Sequence, residues 1–296
     1  MLALLVSGCG LGAGSPPGGV SLVVTNEFGS TLLHQRGRLE VAGQETAMSL
    51  LMRNYPVSTR YDGGFVESIE GLSGGSEHGH RVDWFFFVNG VESTKGAAEV
   101  VVHSGETIWW DRHDWSQTEH VPAVVGSFPE PFLGGYDGKR YPVRIECAQP
   151  TSHACATVGE RLRAVGVPAA IAGIGGGGGE SIRVLVGPWR DVRADYGVEG
   201  IEKGPARSGV YALMSSDGRR LSLLDATGRV VRTLTSGAGL IAATRVGEDG
   251  PAWVVTGTDE AGIERAADAM ERLQLEHHFA VAVAAAGSIP LPVSER

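Results

Sequence analysis

Two neighbouring aromatic stretches, DWFFFVNG (residues 83–90) and ETIWWDRHDW (residues 106–115), set the expectation for the fold. Four of the six tryptophans of the 296-residue chain lie between residues 84 and 115. Runs of aromatic residues next to glycine are typical of β-strands. Alternate residues of a strand share a face. The second stretch therefore predicts one face with Trp109, Asp111, His113 and Trp115 and another with Trp110, Arg112 and Asp114.

The segments on the N-terminal side of these stretches complete an α+β pattern. VSLVVTNEF (residues 20–28) and LLHQRGRLEVAG (residues 32–43) predict two strands, and ETAMSLLMRNY (residues 45–55) has apolar residues at helical spacing. GGFVESIEGL (residues 63–72) alternates like a strand. The resulting order of two strands, one helix and three strands predicts a β-grasp-like α+β domain over residues 20–116.

Four short motifs in this unit resemble one known family. They are FVxSIxG at residues 65–71, the tryptophan at residue 84, VNG at residues 88–90, and GE at residues 105–106 before the aromatic strand. Their order resembles the family of domains of unknown function numbered 4430, which is similar to the C-terminal β-domain of transcobalamin and intrinsic factor. The resemblance covers about residues 20–115, one third of the chain.

The resemblance implies a role in ligand binding. In the vertebrate carriers, cobalamin is held between this β-domain and a separate helical barrel, which supplies the cobalt-coordinating histidine. Residues 141–286 do not show paired helices, so no histidine of this chain corresponds to that one. The resemblance thus implies half of a ligand clamp, or a clamp with a different second half. Bacterial members of the family occur in surface lipoproteins, some associated with vitamin uptake.

Two interpretations of the tryptophans stay open. Large aromatic side chains are mostly buried, which favours a core position for Trp84 and for one residue of the Trp109–Trp110 pair. Each face of the second aromatic strand also carries charged residues, so we expect at least one tryptophan to be partly exposed. Such residues would form a stacking platform for a planar ligand. The candidate ligand-binding residues are Tyr61, Trp109, Trp110, His113 and Trp115.

The N-terminus predicts a lipid anchor. Val6-Ser7-Gly8 precedes Cys9 as small residues precede the acylated cysteine of a bacterial lipoprotein. The apolar run before Cys9 is shorter than a full signal peptide, which we interpret as a start codon placed too far downstream. Residues 1–19 would then be a signal remnant and a flexible Gly/Pro tether. The alternative is a disordered N-terminus with an incidental cysteine.

The other two cysteines, Cys147 and Cys155, predict a disulfide bond. An oxidising compartment would let them close a short loop. Two free thiols are the first alternative. A metal site that includes His153 is the second, but it lacks a fourth ligand nearby. We therefore predict no metal site.

The second half of the chain predicts a separate α/β domain at residues 141–296, after a proline-rich linker at residues 117–140. Strands are expected on both sides of the glycine run at residues 175–179, which we interpret as a hairpin tip. A phosphate-binding loop would need Lys-Ser/Thr after the glycines. Residues 141–195 weakly resemble a SPOR-type peptidoglycan-binding domain. They depart from it after Asp195, where a helix should begin.

A meander and a final helix complete this half. SDGR and ATGR predict the two turns of the meander. Thr258 and Asp259 predict the N-cap of a helix. The segment Thr256–Asp259 is also a second candidate ligand site, because ligands often bind at the ends of strands in α/β sheets. The buried stripe of the helix is expected to contain Ile263, Ala266, Ala267, Met270 and Leu273.

The sequence as a whole predicts binding without catalysis. A net charge of −9 and a pI near 5.5 argue against a nucleic-acid partner. We find no catalytic motif. The prediction is an extracytoplasmic lipoprotein, attached to the membrane through its lipid anchor alone, that captures a ligand for uptake without a cofactor. The ligand is a small molecule such as a cobalamin-like vitamin, and the partner is an envelope transport component. The alternative is a cell-envelope module that binds protein or peptidoglycan.

Overall fold

The computed structural model describes residues 18–61, 63–175 and 180–294. The protein is a mixed α+β structure with more residues in strands than in helices. In chain order, the first unit contains β1 (Val20–Asn26), β2 (Thr31–Leu39), α1 (Ala47–Asn54), β3 (Val57–Arg60), β4 (Phe65–Ile69), β5 (Leu72–Ser73), β6 (Gly75–Glu77), β7 (His80–Val88), β8 (Val91–Glu92) and β9 (Thr107–Asp114).

The main sheet of the first unit has the strand order β2-β1-β9-β7-β6, and β8 pairs with β7. β1 and β9 are parallel neighbours, whereas β7 runs antiparallel to β9. The strands β3, β4 and β5 form a small separate sheet. The two aromatic stretches are therefore adjacent strands, and Phe86 pairs with Trp110.

Helix α1 (Ala47–Asn54) lies within residues 45–55, the segment that the sequence predicts as a helix. The hydroxyl of Thr46 accepts a hydrogen bond from the backbone N–H of Ser49, and the Ser49 hydroxyl accepts one from the backbone N–H of Thr46. This capping box satisfies two amides that the first helical turn leaves free. The apolar face of α1, including Leu50 and Leu51, packs against the side of the main sheet that carries Trp110.

The second unit begins at residue 143. In chain order, it contains β10 (Val143–Cys147), α2 (His153–Ala164), β11 (Ala169–Gly173), β12 (Ile182–Val186), α3 (Trp189–Val192), a 3-10 helix (Glu199–Lys203), α4 (Pro205–Ser208), β13 (Ala212–Met214), β14 (Leu221–Leu224), β15 (Val230–Leu234), β16 (Gly239–Thr244), β17 (Ala252–Gly257), α5 (Glu260–Asp268), α6 (Arg272–Leu275), β18 (Ala280–Ala284) and β19 (Gly287–Leu291).

A seven-stranded sheet with the order β11-β10-β12-β17-β16-β18-β19 forms the centre of this unit. The strands β10, β11, β12 and β17 are parallel, and the last three run antiparallel to their neighbours. The predicted hairpin around the glycine run is wrong. β11 and β12 both run parallel to β10 and lie on opposite sides of it, so they do not pair. Residues 176–179 of that run lie outside the described residues.

Different elements pack on the two faces of the seven-stranded sheet. Helices α2 and α5 pack on one face, where Val158 and Ile263 share a core with strand residues such as Ile145. The meander β13-β14-β15 packs on the opposite face. The same second core includes Phe87 and Trp109 of the first unit. The two units therefore bury apolar surface against each other.

The segment at residues 117–140 is folded onto both units. Val124 belongs to the core shared by the two units. Phe128 and Phe132 pack against Trp253 of β17, with ring centroids 6.2 and 4.9 Å apart. Tyr136 stacks on Tyr141 at 4.3 Å. Burial of these rings attaches the segment firmly to the second unit.

The helix after β17 is shorter than the sequence pattern predicts. Asp259 caps α5 through a hydrogen bond from the backbone N–H of Gly262. Ile263, Ala266, Ala267 and Met270 are buried as expected, but Leu273 is 85% exposed. The helix ends at Asp268 and a new turn begins at Arg272, so the helical spacing does not extend to Leu273.

Within the described ranges, no helix is long and apolar enough to cross a membrane.

Candidate functional site

A cleft of about 410 Å³ lies between the two units. One wall is built from the β1–β2 turn, β6, and the adjoining ends of β7 and β9. The other is built from the β14–β15 turn and the residues after β19. From the first unit the cleft is lined by residues that include Glu27, Phe28, Glu77, Val82, Arg112 and His113. From the second unit it is lined by residues that include Asp225, Ala226, Arg229, Pro292 and Val293. Its size falls in the range of small-molecule pockets.

A fully buried carboxylate supports the floor of this cleft. Asp111 on β9 is 0% exposed. Its oxygens accept hydrogen bonds from the Thr25 hydroxyl and from the backbone N–H groups of Phe28 and Gly29. Nδ1 of His113 lies 2.8 Å from the same carboxylate. A buried carboxylate is stable only when such donors surround it, so Asp111 fixes both the β1–β2 turn and His113.

His113 is held on several sides. Its ring stacks on Phe28 at 4.6 Å and on Phe85 at 4.4 Å, and it meets Phe279 edge-on at 5.4 Å. The side chain is 2% exposed. Because Asp111 engages Nδ1, the neutral ring carries its lone pair on Nε2. Within the described residues Nε2 makes no hydrogen bond, and His113 lines the cleft.

Charged pairs surround the rest of the cleft. The guanidinium of Arg112 donates to Glu77 Oε2 at 2.6 Å and to the Ser73 carbonyl at 2.8 Å. The hydrogen bond from Arg112 holds the pKa of Glu77 below its ordinary value. His80 Nδ1 lies 2.9 Å from Asp114 Oδ2.

Asp225 organises the β14–β15 turn on the opposite wall. It accepts hydrogen bonds from the backbone N–H groups of Thr227 and Arg229 and from the Thr227 hydroxyl. Burial raises the pKa of Asp225, but these hydrogen bonds outweigh that effect and leave the pKa below its usual range. The carboxylate therefore stays charged and holds the wall in place.

The expected aromatic platform does not form as a common surface. Trp109 and Trp110 are 1% and 2% exposed and lie on opposite faces of the sheet. Trp109 packs in the core between the units, whereas Trp110 packs under α1 with Trp84 and Phe86. The sheet is covered on both sides at these two positions, so the charged residues on each face did not imply exposure of Trp109 or Trp110. The expectation that at least one tryptophan is partly exposed holds for Trp115.

The other two aromatic candidates lie elsewhere. Trp115 is half-buried; its Nε1 donates to Asp83 at 2.9 Å, and the Arg81 guanidinium lies 3.8 Å from its ring centroid. Tyr61 is 83% exposed in the turn between β3 and β4. Only His113 among the five candidates lines the cleft.

The two cysteines of the second unit are bonded to each other. Cys147 and Cys155 form a disulfide that joins the end of β10 to the first turn of α2. Cys9 lies outside the described residues.

At the Thr256–Asp259 segment, the Asp259 carboxylate accepts hydrogen bonds from the backbone N–H groups of Gly262 and Gly237. It therefore acts as a helix cap. The described ranges contain no cluster of three or more side chains able to hold a metal ion.

The sequence patterns missed the second wall of the cleft. Asp225 and Arg229 lie in a turn that the ATGR motif predicts, but a turn motif does not reveal which surface it faces. Asp111 and His113 were assigned correctly to one strand face. Their hydrogen bond joins residues two apart, which a strand places on the same side.

One comparison with known families agrees with the motifs of the first unit. Residues 44–114 match the family model described as Domain of unknown function (DUF4430). This confirms the resemblance that the four motifs predict. A crystal structure of haptocorrin in complex with Cbi matches weakly, with a TM-score of 0.24 and 16% identity. The match covers 32% of this chain and 25% of that chain. Among curated proteins, none matches the chain.

Proposed function

We propose that this protein captures a small-molecule ligand without catalysis, in the cleft between its DUF4430 unit and its second unit. The observation that carries the proposal is the cleft itself. It is about 410 Å³ in volume and has a fixed, nearly buried histidine in its floor. Pockets of this kind combine apolar walls with a few oriented polar groups, which Phe28, Val82 and Val293 together with His113 provide.

The architecture supports a two-part clamp. The first sheet has the β-hairpin β1–β2, helix α1 against one face, and β9 parallel to β1. This arrangement favours the β-grasp-like, transcobalamin-type interpretation of the first unit, which is part of the proposal. The second unit supplies the opposite wall in place of a helical barrel.

A cobalamin-like vitamin is the first ligand to test, because the DUF4430 unit resembles the β-domain of cobalamin carriers. The volume of the cleft limits how such a ligand could bind. A complete corrinoid is larger than a drug-sized molecule, and the cleft lies near the lower end of the range for drug-sized ligands. One edge of the corrin ring would enter the cleft, and the rest would cover its rim.

Titration with cobalamin, followed by ultraviolet-visible absorption, tests the proposal. Ala226→Trp should fill the cleft with a large side chain and abolish the shift of the corrin bands. Ala206→Trp places the same side chain on an exposed position of α4 and should keep the shift. No shift with the unmodified protein would exclude cobalamin. A shift that survives Ala226→Trp would exclude the cleft as its site.

The proposed location is the outer face of the cell membrane, with a lipid on Cys9 as the anchor and an envelope transport component as the partner. The small residues before Cys9 support this part. Cys9→Ser should move the protein from the membrane fraction to the released fraction. Retention in membranes after a carbonate wash would show that the anchor lies elsewhere.

A further inference from the structure

The cleft is lined by more carboxylates than arginines. The Arg112 guanidinium is already engaged by Glu77, by Ser73 and by Asn26 Oδ1 at 3.2 Å. Nε of Arg229 donates to Thr227 at 2.9 Å and to Asp225 at 3.3 Å. The Arg112 guanidinium is therefore held by protein acceptors. Arg229 engages only its Nε, and its side chain is 71% exposed at the rim of the cleft.

The backbone amides around the floor are occupied as well. The N–H groups of Phe28 and Gly29 donate to Asp111, and that of Glu27 donates to the Arg112 carbonyl. On the opposite wall, Arg229 donates its N–H to Asp225. Among these groups the free donors are mainly the terminal nitrogens of Arg229 at the rim, so an anionic ligand at the floor would lose its hydration without replacement.

Acceptors remain available. The cleft is lined by the carboxylates of Glu27, Glu77, Asp114 and Asp225, against two arginines. Each carboxylate can accept about four hydrogen bonds, so Glu27 and Glu77 retain free capacity. When the ring is neutral, Nε2 of His113, on a side chain that is 2% exposed, adds an oriented lone pair at the floor.

We infer that the cleft selects a cationic or N–H-rich group of its ligand, such as an ammonium or guanidinium, with Nε2 of His113 as the acceptor at the floor and the rim carboxylates as counter-charges. This inference rests on the proposed ligand capture and names the chemistry of the ligand. Free phosphates and carboxylates are disfavoured, because four carboxylates against two arginines line the cleft and repel like charge.

Isothermal titration with agmatine, a small guanidinium amine without a carboxylate, tests the inference, and citrate serves as the anionic probe. We expect agmatine to bind and citrate not to bind at low ionic strength. Glu27→Gln, at an exposed rim position, should weaken agmatine binding about fivefold, as expected for one exposed charge pair. Glu160→Gln makes the same change on an exposed position of α2 and should leave the affinity unchanged.

His113→Phe keeps an aromatic ring between Phe28 and Phe85 but removes the acceptor, and should weaken agmatine binding further. If this variant does not fold, the effect of Glu27→Gln on agmatine binding still tests the inference. If citrate binds and Ala226→Trp abolishes that binding, the proposal of ligand capture in the cleft stands, but the proposed ligand class is wrong. Failure of agmatine to bind, or agmatine binding that Glu27→Gln leaves unchanged, would overturn the inference. The cobalamin titration tests capture independently of both probes.

Discussion

Nδ1 of His113 lies 2.8 Å from Oδ2 of Asp111, and both side chains are almost completely buried between the two units. This pair connects the β1–β2 turn to a residue that lines the cleft. The Asp111 carboxylate also binds the β1–β2 turn through Phe28 and Gly29. The ring of His113 reaches the cleft. A single buried carboxylate thereby sets the orientation of the one sequence-predicted candidate that lines the cleft.

Asp111→Asn should destabilise the protein by about 3–5 kcal/mol, because the buried donors around it lose their charged acceptor. The amide cannot accept from all four donors and points its own N–H₂ group at some of them. Chemical denaturation measures the loss. Asp268→Asn, at an exposed position at the end of α5, is the matched control and should change the free energy of unfolding little. Equal effects of the two changes would contradict this role of Asp111.

Trp109→Ala and Trp110→Ala should each lower the free energy of unfolding by about 3–5 kcal/mol, since both rings are buried in separate cores. Trp115→Ala should cost about 1 kcal/mol, because that ring is only half-buried and stacks mainly under Arg81. The urea midpoints of the three variants test this order. A Trp110→Ala midpoint close to that of the unmodified protein would contradict the packing of α1 on this ring.

Gly126→Ala should disturb the junction of the two units. An added Cβ would lie 2.6 Å from the backbone nitrogen of His278 and 2.8 Å from Cζ3 of Trp109. Relief of such contacts costs about 1–3 kcal/mol. Gly37→Ala provides the control in β2, where no atom lies within 4 Å of the added Cβ. Thermal unfolding should show a lower midpoint for the first variant alone, and a similar loss in both would argue against a close junction.

Glu130 should make stability depend on pH. Burial raises the pKa of this carboxyl from 4.5 to about 7, although the backbone N–H of Gly134 donates to it at 2.6 Å. The folded protein keeps the proton between those pH values, whereas the unfolded chain releases it. The stabilising contribution is therefore complete below about pH 4.5 and is lost as the pH rises through about 7. Its size is on the order of 3 kcal/mol.

Denaturation of Glu130→Gln between pH 4.5 and 8 measures this contribution, because glutamine does not titrate. The difference in free energy of unfolding between the variant and the unmodified protein should change across this range. Glu160→Gln, on the exposed side of α2, should follow the unmodified protein at every pH. Parallel pH profiles for Glu130→Gln and the unmodified protein would contradict the raised pKa.

Local signals in the sequence determined several elements of the structure. Thr46 and Ser49 define the start of α1 through contacts three residues apart, and Asp259 defines the start of α5 in the same way. The alternation of residues along β9 placed Trp109 and Trp110 on opposite faces. These features depend on neighbours within one turn or one strand, so a local pattern is sufficient to predict them.

Tertiary packing decided what covers each face and which distant segments meet. The sequence shows that β9 has two faces with mixed residues, but not that the second unit buries the face of Trp109. It predicts strands at β11 and β12, but their pairing with opposite sides of β10 depends on the whole sheet. The cleft joins His113 to Asp225 across more than one hundred residues of chain. Burial and pairing between such distant segments arise from packing in three dimensions, so no local pattern in the sequence encodes them.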